Sequence, residues 1–206
     1  MIKSDLSSIV ADTGPLLCVG AAPKEYGRDV FWRRLKKRVI VPKVVLSELE
    51  NISIKNDFLA LAAKSVLSKG MRSLLLSQGS HAFSGVDRKA VRELIIAEEL
   101  RSASAQCREA KTSGHDGEID VILLASAGHD KIVFTNDNAA LNVAKNEYKL
   151  STAVFATLMA AEIADGNLLA EEAAEVLLGL QERNLYPGVH NITALNLVSL
   201  HVPDGF

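Results

Sequence analysis

The sequence predicts an α/β fold, a mainly parallel sheet with helices on its faces, followed by a mainly helical C-terminal extension. Short apolar runs, SIVADT, RVIVP and KIVFTND, alternate along the chain with segments of helical periodicity, which is the pattern of strands joined through helices. At 206 residues with 48% apolar positions, the chain can bury one proper core plus an extension. Each strand-to-helix junction also carries a carboxylate, and ligands of such sheets sit outside the carboxyl ends of the strands.

The elements follow in order. SIVADT is a strand ending at Asp12, and Gly14-Pro15 turns it into a helix, because proline is tolerated in a first helical turn. RVIVP is a second strand closed by Pro42, after which KVVLSELE begins a helix. Phe58, Leu61, Ala62, Val66 and Leu67 have helical spacing between Asn56 and Lys69, and Gly70 suits the end of that helix. A long helix is expected from Arg88 to Lys111 with Asp87 as its N-cap, broken by TSGHDG. EIDVILLASAG starts another helix that stops at Gly128, and KIVFTND is the third clear strand. A helix from Asn138 to Asn146 follows, then a short strand near Thr152 to Phe155. The tail predicts a helix from Leu168 to Arg183, and NLYPGVHNITALNLVSL beyond it could add an edge strand.

Charge is unevenly distributed. Residues 1–159 sum to +4 and residues 160–206 to −6, although the whole chain is only −2. The segment KEYGRDVFWRRLKKR holds seven basic residues, and Arg28, Arg33, Arg34, Lys36 and Lys37 make it a candidate RNA-binding patch whose Phe31 and Trp32 could stack on bases. The plain alternative is a solvated amphipathic helix with Phe31, Trp32 and Leu35 facing the core. The acidic extension could lie near this basic segment and compete with RNA, or simply pack on the sheet.

Cys18 and Cys107 show no paired spacing, so neither a disulfide framework nor a zinc knot is expected, and a reducing cytoplasm is the expected location. The first residues lack a signal-peptide pattern and no apolar stretch is long enough to span a membrane. The five histidines have no tight ligand spacing; His115, beside Asp116, is the one worth following. No nucleophile elbow, phosphate-binding loop or dinucleotide fingerprint is present.

The carboxylates carry the functional reading. Asp12 in SSIVADTGPLL, Glu48 in VIVPKVVLSELE, Glu118 and Asp120 in GHDGEIDVILLA, and Asp137 in KIVFTNDNAAL all stand at strand-to-helix junctions. Acids gathered at strand mouths repel one another and resist burial, so a fold that collects them does so around a hard cation, the mark of metal-dependent phosphoryl transfer. Singly, each has a plain structural alternative: Asp12 and Asp137 as helix caps, Glu48 as an exposed helical acid. Asp116 and Asp120 are one turn apart and share a face, whereas Glu118 projects to the other side. Asp120 is therefore preferred, with Glu118 outside it or at the helix N-terminus.

Taken together, ADTGPLL, VPKVVLSELE, GEIDVILLA and TNDNAAL resemble the motifs of PIN-domain nucleases, in particular the ribonuclease toxins of bacterial toxin–antitoxin pairs. The resemblance covers roughly residues 8–155. It implies a PIN-like three-layer α/β/α sandwich over residues 1–155, with residues 156–206 as an acidic extension packed on it. It also implies metal coordination by Asp12 and Asp137, with Glu48 and Asp120 as further acids, Glu118 beside them, and Thr13 and Asn136 as polar neighbours. Mg²⁺ or Mn²⁺ is the implied cofactor. The expected activity is hydrolysis of RNA phosphodiesters by in-line attack of water, with no protein nucleophile. RNA is the expected partner, an antitoxin protein and a second copy of the chain are candidate protein partners, and no membrane is expected. The competing function is a non-catalytic nucleic-acid-binding or regulatory module on the same fold.

Overall fold

The computed structural model describes residues 7–36, 38–68, 84–106, 115–128, 131–189, 202–203 and 206. Four parallel strands form one sheet in the order β2-β1-β3-β4, with β1 at Ser8–Ala11, β2 at Val39–Ile40, β3 at Lys131–Phe134 and β4 at Ser151–Ala153. Ile9, Val10 and Ala11 of β1 and Ile132, Val133 and Phe134 of β3 are all buried, as expected where helices cover both faces of a parallel sheet. The register sets Ala11 opposite Phe134, and the Asp12 N–H continues the ladder by donating to the Phe134 carbonyl at 2.9 Å. After β1 the chain moves outward to β2, and from β3 it moves the other way to β4. The seam between β1 and β3 is therefore the topological switch point, where an open α/β sheet leaves a crevice at its carboxyl edge.

Helices supply the layers. They are α1 (Thr13–Ala21), α2 (Lys24–Tyr26), α3 (Trp32–Leu35), α4 (Lys43–Ser53), α5 (Phe58–Leu67), α6 (Gly85–Gln106), α7 (Asp116–Ser126), α8 (Asn138–Asn146), α9 (Phe155–Ala164) and α10 (Ala170–Gln181). Asp57 caps α5 by accepting from the Ala60 N–H at 2.8 Å, and Asp137 caps α8 from the Ala140 N–H at the same distance. The long helix begins three residues earlier than expected. Ser84 accepts from the Asp87 N–H at 3.2 Å and donates to its carboxylate, so Asp87 lies inside the first turn and does not precede it. The expected continuation to Lys111, the helix end at Gly70, Cys107 and an edge strand over residues 190–201 all lie outside the described residues.

Two local results differ from the periodicity. The basic segment is not one regular helix, since α2 and α3 are joined by a π-helical turn at Gly27–Phe31, but Phe31, Trp32 and Leu35 face the core as the plain alternative has it. The strand expected to reach Phe155 stops at Ala153, and Phe155 instead starts α9. That helix is buried along nearly its whole length, and Phe155, Leu158 and Met159 join the same core as the sheet. The 155/156 division thus falls in the first turn of a helix. Gly20 permits the close crossing of α1 and α5, since a β-carbon there would collide with the Ala62 carbonyl oxygen. Among the described residues no helix is long and apolar enough to cross a membrane.

Candidate functional site

The switch-point crevice is built from four junctions. Asp12 occupies the N-cap position of α1 yet makes no capping bond; its Oδ2 accepts from the Thr135 hydroxyl at 3.0 Å, across the seam between β1 and β3. Thr135 also accepts from the Asp137 N–H at 3.2 Å, so one hydroxyl ties the two strand-end acids together. Glu48, on α4, accepts from the Thr13 hydroxyl, which fixes its carboxylate toward β1. From the third junction comes Gly117, in the first turn of α7. A β-carbon at that position would stand 2.9 Å from Asp12 Oδ1 and 3.3 and 3.4 Å from the two Glu48 oxygens. Both carboxylates therefore face the bare backbone of Gly117, and the absence of a side chain lets them share that space.

The electrostatics match the crowding. Burial, chiefly, pushes the Asp12 carboxyl up from 3.8 to about 7, with the charges of Glu118 and Glu48 adding and hydrogen bonds from the Thr13 backbone and Thr135 hydroxyl opposing. Glu118 is also raised, first by burial, then by Asp137 and Glu48, with its own backbone N–H and the His115 imidazole opposing. Asp12, Glu48, Glu118 and Asp137 are thus within electrostatic reach of one another. Asp120 is not in that company. It pairs with Arg88 of α6, and Arg88 and Asp116 are the charges that act on it. Asp116 and Asp120 do share a face, as their spacing requires, but that face meets Arg88 and Arg92, with Asp116 Oδ1 at 3.0 and 2.7 Å from them. The opposite face carries Glu118 to the crevice. The structure therefore sets Glu118, and not Asp120, beside the other three acids.

Asn136 has another task than orienting a carboxylate. Its Oδ1 accepts from the Phe155 N–H at 2.9 Å and its Nδ2 donates to the Tyr186 carbonyl at 2.7 Å, so it pins the end of β3 to α9 and to the chain after α10. Cys18 packs in the core beside it, its thiol pushed up to about 12 by burial. In the basic segment, Phe31 and Trp32 are buried and so do not present rings to bases. Arg34 is ion-paired to Glu162 and Asp165 and donates to the Phe206 carbonyl at 3.0 Å. Arg33 and Lys36 are exposed; Lys37 and the Arg28 side chain lie outside the described residues.

Sequence reasoning passed over Thr135 and Gly117. A hydroxyl one residue ahead of Asn136, and a glycine where a helix is just starting, were the available signals. His115 precedes α7 in a left-handed conformation (φ 66°), uncommon for a bulky side chain, and its Nε2 lies 3.5 Å from Glu99 Oε1. The other Glu99 oxygen is buried without a hydrogen-bond partner.

No family model matches the chain, and no curated protein or solved structure shows significant similarity to it.

Gly117 yields a direct prediction. Gly117→Ala gains up to about 1 kcal/mol in helix propensity, yet its methyl intrudes between Asp12 and Glu48. We expect a folded protein, its helix gain offset by that crowding, that has lost most of any Mn²⁺ affinity, measured by calorimetric titration. Unaltered affinity would show that the two carboxylates do not act together.

Proposed function

We propose that the chain is a metal-dependent endoribonuclease of PIN-like architecture, with Asp12, Glu48, Glu118 and Asp137 as its acid set. The observation that carries this reading is Asp12: a carboxyl buried at the sheet's switch point among like charges, which holds its proton to about pH 7 when no cation is present. Its hydrogen bonds, from the Thr13 backbone and the Thr135 hydroxyl, do not offset that burden, and it makes no N-cap bond to α1. The donor set, all carboxylate oxygen, suits Mg²⁺ or Mn²⁺. When bound, such a cation supplies charge stabilisation at the transferring phosphoryl group and acidifies water. The chain's own contribution is positional. Thr135 holds one oxygen of Asp12 and leaves Oδ1 facing Glu48, Thr13 orients Glu48, and the capping bond to Ala140 fixes Asp137. Loading requires Asp12 to give up its proton, so cation binding and proton release are coupled.

A second reading has its own support. Among the described residues no three His, Cys, Asp or Glu side chains stand at metal-coordinating spacing. In a non-catalytic nucleic-acid-binding or regulatory module the same acids need not close around a cation. Cleavage of total cellular RNA by the purified chain, with Mg²⁺ or Mn²⁺ and with EDTA, separates the two. Discrete fragments that require the metal support the nuclease. Intact RNA, together with a melting temperature indifferent to both metals, supports the module.

A further inference from the structure

A cationic groove lies at the other end of the strands from the acids. Arg33, Arg34, Lys36, Arg38, Val30, Glu162 and Asn167 line a groove of about 380 Å³, a volume within the range of small-ligand sites. Its place in the fold is fixed by Arg38. The Arg38 carbonyl accepts from the Ile9 N–H at 2.9 Å and its Nε donates to the Ser7 carbonyl at 3.1 Å, so the groove lies where β1 and β2 begin. The acids lie where the strands end.

Four cations and one carboxylate face this groove, and the carboxylate is already matched. Glu162 accepts from Arg34 Nε through one oxygen and from Asn167 Nδ2 at 2.9 Å through the other. Asp165, just beyond the lining, holds the second arm of Arg34. These bonds fix Arg34 as a rigid wall. Arg33 and Lys36, both exposed, make no hydrogen bond or ion pair with the described residues. Arg38 is held below the usual guanidinium range, chiefly by burial and then by the charge of Arg34. No aromatic ring is present in the lining, which leaves nothing to read a base.

We propose that this groove at the amino edge of the sheet is a phosphate-binding site, with Arg33 and Lys36 as its adjustable donors and Arg34 and Arg38 as its fixed walls. Its ligand is a phosphate ester or polyphosphate, supplied either by an RNA backbone or by a free phosphorylated small molecule. The proposal is independent of the nuclease reading, since the groove attracts anions whatever the acids do.

The test uses the full chain in EDTA, so that no cation is held by the acids. Inorganic pyrophosphate is titrated by calorimetry and a labelled unstructured RNA 12-mer by fluorescence anisotropy. Saturable pyrophosphate binding is expected, weakened about tenfold or more by Arg33→Glu with Lys36→Glu and unaffected by Lys64→Glu on α5. Both altered positions are exposed, and circular dichroism melts confirm that the variant folds. Displacement of pyrophosphate by the RNA identifies a backbone ligand; binding of pyrophosphate without competition identifies a free phosphate. Absence of pyrophosphate binding, or equal affinity in the charge-reversed variant, overturns the proposal.

Discussion

Asp12→Asn is expected to abolish metal-dependent RNA cleavage while making the metal-free protein more stable. The carboxyl ionises near 3.8 when unfolded and near 7 in the fold. Between these values the folded state binds more protons than the unfolded state, so stability falls as pH rises through that window. Below about pH 4 both states are protonated and the penalty is absent; above about pH 7 both are ionised and it is complete. Asparagine never carries the charge. The advantage of the variant should therefore open between pH 4 and 7 and level off at roughly 2–4 kcal/mol. The amide also fits: its oxygen can accept from Thr135 while its N–H groups face Glu48. Adding Mn²⁺ should reverse the order, because a ligand that binds only the wild-type fold raises its stability by mass action. Denaturant midpoints from pH 4 to 8, with and without Mn²⁺, check both halves. A wild type that gains nothing from the metal at pH 8 would remove the cation from the site. A variant that loses activity only by unfolding would return Asp12 to a structural role.

What the sequence made legible, and what it did not, divides along physical lines. Helix α8 was bounded correctly from Asn138 to Asn146 because its signals are local: a capping aspartate, an apolar stripe and an end in polar residues. The strands were legible for the same reason, as short β-branched runs between breakers. Helix α9 escaped notice because Phe155 to Ala161 are buried all round, and a helix without a polar face has no amphipathic period to detect. The break in Lys24–Leu35 was hidden because a π-helical turn has little signature of its own in a charged segment. At the site, the assembly of acids at strand ends follows from topology, and Asp12, Glu48 and Asp137 were legible as candidates. Which face of α7 meets the crevice is a tertiary fact. Helical geometry showed that Glu118 and Asp120 diverge, but only the position of Arg88 shows where Asp120 goes. The partners of Asn136 and Arg34 were hidden for a related reason: Tyr186, Phe155, Glu162 and Asp165 all come from a tail whose docking the motifs do not specify.

That divergence gives the second large expected effect. Glu118→Gln should reduce cleavage by about 100-fold or more, since it removes a charge from the acid set and each 1.4 kcal/mol of lost transition-state stabilisation is tenfold in rate. Its fold should be at least as stable as the wild type, because burial and the charges of Asp137 and Glu48 already disfavour the ionised form. Asp120→Asn should leave the rate within a few-fold. Two influences on its stability compete: the ion pair with Arg88 favours the carboxylate, yet burial outweighs it and the carboxyl is still raised above its ordinary value. Replacing it should therefore shift stability by no more than about 1 kcal/mol in either direction. Single-turnover cleavage, with Mn²⁺ affinity measured separately, distinguishes the pair. The reverse outcome, Asp120→Asn inactive and Glu118→Gln active, would require α7 to turn by roughly half a revolution about its axis. Gly117 would then leave Asp12 and Glu48, and Ile122, fully buried on the Glu118 face, would be carried toward Arg88. Exposing that side chain would cost about 1.5–3 kcal/mol, a large share of the stability of a marginally stable domain.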